Sequence, residues 1–315
     1  MTQRLRTNPT ELDVYVTYVA RAIGLPPAQV EKDFWITELV RAVAEWSART
    51  RVPVIWKGGT TLSKVFNLIQ RFSEDVDLLV VPSGSSVRAK SETLTDLEDA
   101  CAQALGVTVE HNPNGRFEDQ MRATRYLYPA QHTVTGVSPS LILEAGTFGG
   151  GIPHSTRTVT SMIAENVIAT GLDPDFEETQ SVTIPVLGPA RTLFEKLMIL
   201  HSATARSEER KRKTARHYYD IWCLLSSADV RAAAAGLNAA VMAREVKIHS
   251  DKGNMSVPMR PKQGFALSPA FDAQRNQTAA KEHAGVVLTR YLWPNAPRPS
   301  FEDCCAIVHE YAAIL

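Results

Sequence analysis

One stretch, residues 52–79, constrains the fold of this chain more than any other. An apolar run, 52–56, leads into Lys57-Gly58-Gly59-Thr60-Thr61-Leu62-Ser63-Lys64. Arg71-Phe72-Ser73-Glu74-Asp75-Val76-Asp77-Leu78-Leu79 follows, so Asp-x-Asp stands at the head of a second apolar run. The pattern predicts a strand, a tight Gly-Gly turn, a helix over 61–69 and a strand over 76–81. Small residues at a helix start let backbone N–H groups approach phosphates. Two carboxylates at i and i+2 of a strand point to one face, where both can hold one Mg²⁺. The spacing Gly-x-x-x-x-Gly-Lys-[Ser/Thr] is absent, so this is not a P-loop.

Further along, the chain reads as alternating elements. Helices are expected over 9–23, capped by Asn8, over 28–46 with an apolar stripe from Val30 to Val40, and over 87–105. Strands are expected over 107–110, 122–128 and 141–145, with a turn at Asn112-Pro113-Asn114-Gly115. Phe148-Gly149-Gly150-Gly151 closes this region, which predicts a domain boundary near residue 155. The second half predicts an extended segment over 182–187 and helices over 189–202, 213–226 and 229–245. A basic loop over 247–267 follows, then helices over 269–293 and 300–314, the last opened by a capping box at Ser300.

The order of motifs resembles the polymerase-β-type nucleotidyltransferases and, more narrowly, the AbiEii/AbiGii (MenT-like) toxin family. The glycine and Asp-x-Asp block carries the resemblance. Val30-Glu31-Lys32-Asp33-Phe34-Trp35, Pro189-Ala190-Arg191-Thr192-Leu193-Phe194-Glu195-Lys196-Leu197 and Arg216-His217-Tyr218-Tyr219-Asp220-Ile221 extend it over about two-thirds of the chain. The resemblance implies an α/β (α+β) fold: a nucleotidyltransferase core with a mixed sheet over 1–155 and a mainly helical domain over 156–315, with NTP between them. It implies a Mg²⁺-dependent enzyme, with Mn²⁺ as substitute, that moves NMP from NTP to the 3′ end of tRNA and blocks aminoacylation and growth. It also implies a cognate antitoxin with a winged-helix DNA-binding domain.

Within that reading Asp75 and Asp77 are the metal ligands. Glu144, a carboxylate in an otherwise apolar strand, needs a partner and suits a third acid that assists or deprotonates the acceptor. Glu74 lies off the Asp75/Asp77 face and suits a salt bridge. Gly58, Gly59, Thr60, Ser63, Lys64, Ser73 and Arg191 are candidate NTP-binding residues; Lys64 serves equally well as a partner of Glu74. Lys196 and Asp220 match the family's later functional pair: the Lys presents a point charge to the triphosphate, and the Asp orients that Lys or an RNA hydroxyl. Arg216 is a candidate phosphate contact, and His217 suits a hydrogen-bonding core residue. Arg210, Lys211, Arg212 and Lys213 lead into Arg216 and form a candidate RNA-binding run. A second cluster is Lys247, Lys252, Arg260 and Lys262.

Charge and cysteine content narrow the classes. Thirty-four basic and thirty-four acidic residues cancel, so any RNA contact must be a local patch. Cys101, Cys223, Cys304 and Cys305 lack metal-ligand or disulfide spacing and suit free thiols in a reducing cytoplasm. No apolar run approaches the roughly 20 residues needed to span a bilayer. A monomer or weak oligomer without membrane contact is expected. Two other readings share these motifs: nucleotidyl or phosphoryl transfer to a protein side chain, such as one on a partner antitoxin, and a non-catalytic partner-binding protein. The intact Asp75/Asp77 pair argues against the second.

Overall fold

The computed structural model describes residues 3–84, 86–111, 121–170, 176–252 and 257–315. The turn expected at Asn112-Pro113-Asn114-Gly115 and the side chain of Lys252 lie outside the described residues.

The chain forms two compact units. The first comprises Met1–Thr60, Ser73–Thr147 and Ser155–Val186; the second comprises Thr61–Phe72, Phe148–His154 and Leu187–Leu315. A single cut near 155 therefore differs from the observed division. Residues 182–186 return to the first unit because their strand pairs in parallel with the strand that precedes the glycine turn, Trp56 opposite Val186. Strand pairing is non-local, so composition along the chain does not reveal it.

The first unit is built on a mixed sheet of β1 (Val54–Lys57), β2 (Asp75–Val80), β3 (Thr108–His111), β4 (Met121–Leu127), β5 (Leu141–Gly146), β6 (His154–Val159) and β7 (Val182–Leu187), in the order β3-β4-β5-β2-β1-β7-β6. β1 runs antiparallel to β2, and β2 runs parallel to β5. Helix α1 (Pro9–Ile23) is capped by the Asn8 side chain, and α2 (Pro27–Thr50) is buried along most of its length. Its core carries Phe34, Trp35, Leu39 and Val43, yet Glu31, Lys32, Asp33, Glu38 and Arg41 are buried with them. Buried charges require partners. Glu31 accepts from the backbone N–H groups of Gln131 and His132, both at 2.9 Å, and Asp33 accepts from that of Met162 at 2.7 Å. Helix α3 is short, Gly59–Lys64, ends before the expected residue 69 and passes into the second unit from Thr61. Helix α4 (Val87–Leu105) and α5 (Met162–Ala169) complete the unit. β6 and α5 were not among the expected elements: β6 reads His-Ser-Thr-Arg-Thr-Val and shows no apolar alternation, whereas α5 is opened by a Ser161 cap.

The second unit is helical, around a core that includes Leu193, Phe194, Leu197, Tyr219, Leu224 and Phe271. Helices α6 (Pro189–Ala203), α7 (Glu208–Thr214) and α8 (Arg216–Ser226) are followed by α9 (Ala228–Ala235) and α10 (Ala239–Lys252). The single helix expected over 229–245 breaks after Gly236, and α10 runs on into the residues expected to start a loop. The helix expected over 269–293 is likewise divided, into a 3₁₀ turn Pro269–Phe271, α11 (Gln277–Glu282) and a π-helix His283–Tyr291. The final helix, α12 (Phe301–Glu310), has the expected capping box between Ser300 and Asp303. All four cysteines are free and buried. Among the described residues no helix is long and apolar enough to cross a membrane.

Candidate active site

In the first unit the acids come together through strand register. Asp77 is paired with Glu144, and Asp75 with Ile142, on the parallel strands β2 and β5. Register partners on neighbouring strands share a face, and so do residues i and i+2. Asp75, Asp77 and Glu144 therefore stand on one face, all three half-buried. The alternate residues Val76 and Leu78 on β2, and Leu143 and Ala145 on β5, are buried in the core. Glu144 was expected to be a buried acid in need of a partner. It is instead half-exposed beside Asp77, on the less buried face of an otherwise apolar strand.

The glycine turn meets this acid row. Lys57 at the end of β1 pairs with Asp77, and the next residue, Gly58, has φ of 86°. A Cβ added to Gly58 would lie 1.9 Å from Asp77 Oδ2 and 2.7 Å from its Cγ. Left-handed backbone and this close approach both demand glycine. The close contact at Gly58 is with the Asp77 carboxylate, and Gly59 opens α3. Thr60 is tied to the chain entering β2. Its hydroxyl donates to the Asp75 carbonyl oxygen at 2.5 Å and lies 3.0 Å from Ser73 Oγ, so it fastens the chain entering β2. Ser63 and Lys64 are half-buried on α3. Glu74 accepts from Lys32 Nζ at 2.9 Å, which identifies its salt-bridge partner.

Two carboxylates on an open strand face are hard oxygen donors of the kind Mg²⁺ takes, with phosphate oxygens and water completing its shell. Among the described residues no group of three or more His, Cys, Asp or Glu could hold a metal ion.

In the second unit a buried charged cluster centres on Asp220, on α8. Arg71 grips it bidentately, Nε to Oδ1 at 2.6 Å and Nη2 to Oδ2 at 2.9 Å. Lys196 Nζ on α6 donates to Oδ2 at 2.7 Å. Arg71 is itself held by a β-bridge to Leu292, with the Phe72 N–H donating to the Tyr291 carbonyl at 2.9 Å. Burial alone would raise the Asp220 carboxyl, but Arg71 and then Lys196 hold it well below the usual carboxylate range. Burial lowers the Lys196 pKa; Asp220 opposes that shift and Arg71 reinforces it. His217, 3.2 Å from Lys196 Nζ, is pushed down to about 3 by burial and by Lys196, so its imidazole is neutral. Two cations against one carboxylate leave this group a formal charge of +1.

In this geometry Asp220 is fully buried and holds Lys196, which is buried beside it. Arg71 is the functional-cluster residue that sequence reasoning missed. It stands in the Arg-Phe-Ser-Glu-Asp motif, but only the tertiary fold brings it to Asp220. Arg191, expected at the NTP, is fully buried. Its Nη1 donates to Glu245 on α10 at 2.6 Å, and a Cβ on Gly150 would lie 1.9 Å from its Nη2. Its Nε and Nη2 are buried without a hydrogen-bond partner, and Glu245 is itself partly exposed. Arg216 is half-buried at the start of α8. On α7, Lys211 pairs with Glu208 and Lys213 with Glu209, both at 2.6 Å; Arg210, Arg212 and Lys213 are exposed, and Lys211 is half-buried. The cluster at Lys247 is also partly committed, since Lys247 pairs with Asp251 at 2.9 Å and Arg260 donates to the Leu315 carbonyl.

Comparison with known proteins identifies the family. Residues 49–301 match the model of the family described as nucleotidyl transferase AbiEii toxin, type IV toxin–antitoxin system. The structure resembles that of MenT4, a nucleotidyltransferase toxin from Mycobacterium tuberculosis H37Rv. The TM-score is 0.54 at 17% identity, over 95% of this chain and 88% of that one, a likeness of fold. No curated protein matches the sequence. The family match spans the acid row, the Arg71–Asp220–Lys196 cluster and the basic helix alike, and on that match the chain belongs to the AbiEii family, the nucleotidyltransferase toxins of type IV toxin–antitoxin systems.

Proposed function

We propose that this nucleotidyltransferase moves a nucleoside monophosphate from NTP to the 3′ end of tRNA, and that this transfer blocks aminoacylation. The observation that carries the chemistry is the Asp77–Glu144 register, with Asp75 on the same face and Gly58 against Asp77. Asp75 and Asp77 would hold Mg²⁺, which neutralises phosphate charge when bound. Glu144 accepts the proton of the acceptor hydroxyl as its oxygen bonds to the α-phosphorus. The bond from that phosphorus to the β-phosphate oxygen breaks, and pyrophosphate leaves. Gly59 and Ser63 line the turn we assign to the triphosphate. The +1 group around Lys196 suits an anionic ligand, which we read as phosphate.

The exposed Arg210 and Arg212 support RNA as the acceptor, since a neutral chain must attract a polyanion locally. Membership of a type IV toxin–antitoxin family supports an antitoxin partner, which we propose carries a winged-helix domain. Incubating the purified protein with total tRNA and each labelled NTP in turn tests the reading. Label in RNA, dependent on Mg²⁺, is the expected result; label in protein alone moves the acceptor to a side chain, and no label with any NTP overturns the reading.

A further inference from the structure

Lys32 is fully buried on α2, and its ammonium group has three donors. All three are used. One goes to Glu74 Oε2 at 2.9 Å, one to the Ser138 carbonyl at 2.8 Å, and one to the Ser140 carbonyl. Glu74 Oε2 also accepts from the Ser138 N–H at 2.9 Å, so the group closes on itself. Glu74 is the residue before β2, and Ser140 is the residue before β5. A single side chain thus ties together the entries of the two parallel strands that carry Asp75, Asp77 and Glu144.

That placement matters because β2 and β5 have no hairpin between them. A tight turn fixes register in antiparallel pairs; parallel neighbours are joined by long connections, so their register rests on the buried face and on any tie between the strand ends. A slip of one residue would move Glu144 to the opposite face from Asp77. Burial lowers the Lys32 pKa, with Glu74 opposing the shift, so the lysine also matters to the fold, and stability is measured beside function in the test below.

We propose that Lys32 is a positioning residue for transfer: through Glu74, Ser138 and Ser140 it sets the height of the Asp75/Asp77 strand against the Glu144 strand. The inference rests on the reading of those three acids as the metal- and proton-handling set. The test uses the full chain as Lys32→Met, Lys32→Arg, Glu74→Gln and Asp77→Asn. Mn²⁺ binding is followed by electron paramagnetic resonance with an equimolar mixture of the four α,β-methylene NTP analogues. Thermal unfolding, kcat, and KM for tRNA are measured beside it. Residues that orient metal ligands typically change metal affinity or activity by about 10- to 100-fold. Lys32→Met is expected to weaken Mn²⁺ binding and lower kcat by about ten-fold, with KM for tRNA little changed. Lys32→Arg, which keeps the charge, should recover part of both, and Glu74→Gln should show the same losses in smaller measure.

A folded Lys32→Met with wild-type Mn²⁺ affinity and kcat overturns the proposal. Should Lys32→Met not fold, Glu74→Gln decides: weakened Mn²⁺ binding supports the proposal, and wild-type binding overturns it. Asp77→Asn separates the two levels of the argument. If it keeps both Mn²⁺ binding and transfer, the reading of the acids fails whatever Lys32 does. If it loses them while Lys32→Met does not, only the role of Lys32 fails.

Discussion

The Asp77 carboxylate occupies the place where a side chain on Gly58 would begin, 1.9 Å from the position of an added Cβ. Backbone at the glycine turn and carboxylate on the neighbouring strand are thereby fixed against each other. Gly58→Ala should be doubly unfavourable, because alanine resists a φ of 86° and its methyl displaces Asp77. We expect a loss of about 1 kcal/mol or more in stability. Transfer should fall by about a hundred-fold, the usual effect of moving a reacting group by an ångström. Chemical denaturation and single-turnover kinetics on one preparation check both parts.

Asp75→Ala and Asp77→Ala should abolish transfer while leaving the fold intact. The two half-buried acids repel each other in the absence of a cation, so removing one costs the apo fold little. Near-normal transfer by either variant in a labelled-NTP assay would remove both from the metal role.

Charge balance separates the members of the Asp220 cluster. Lys196→Met leaves Arg71 and Asp220 as a neutral bidentate pair, so the variant should fold with near wild-type stability and lose transfer. Asp220→Asn leaves two buried cations with no carboxylate, and such a break costs about 3–5 kcal/mol. Melting curves should therefore rank Asp220→Asn well below Lys196→Met. The reverse order would show that Lys196, and not Arg71, is the partner that Asp220 requires.

Glu38 should make stability depend on pH near neutrality. On α2 it faces Arg41 and Arg6, with Glu178 close to Arg6, and burial raises its pKa to about 7. Arg41 and Arg6 oppose that shift, whereas Glu178 adds to it. Because the folded value exceeds the unfolded one, the folded state binds the extra proton. The contribution is complete below about pH 4.3, the ordinary Glu value, and is lost as pH rises through 7. Glu38→Gln should flatten the stability profile across that window. An unchanged slope in denaturation at stepped pH would rule Glu38 out as its source.

Arg210→Glu with Arg212→Glu should weaken RNA binding and leave NTP binding unchanged, because Lys211 and Lys213 are already paired on α7. Each single-strand phosphate contact contributes a log–log salt slope of about −0.7, so losing two contacts should make the slope shallower by about 1.4. Equal affinity and equal slope for the variant and the wild type would show that α7 is only a solvated surface.

Much of the site was legible in the residues themselves. Gly-Gly followed by Asp-x-Asp carries its own local geometry, because a turn that needs glycine and a strand of period two are decided within a few residues. Caps at Asn8 and Ser300 were readable for the same reason: each is a bond between a side chain and backbone three residues on.

Register and burial were not local, and only the tertiary structure decided them. Nothing near Glu144 says that it faces Asp77, since parallel pairing joins residues far apart in the chain. Nothing near Arg71 or Arg191 says that one grips Asp220 and the other pairs with Glu245, because a guanidinium looks the same in sequence whether it meets phosphate or a carboxylate. The chain by itself determined which chemical groups are present and their local spacing. The fold determined which charges are neutralised inside and which are left on an open face, because that depends on partners brought together only by packing.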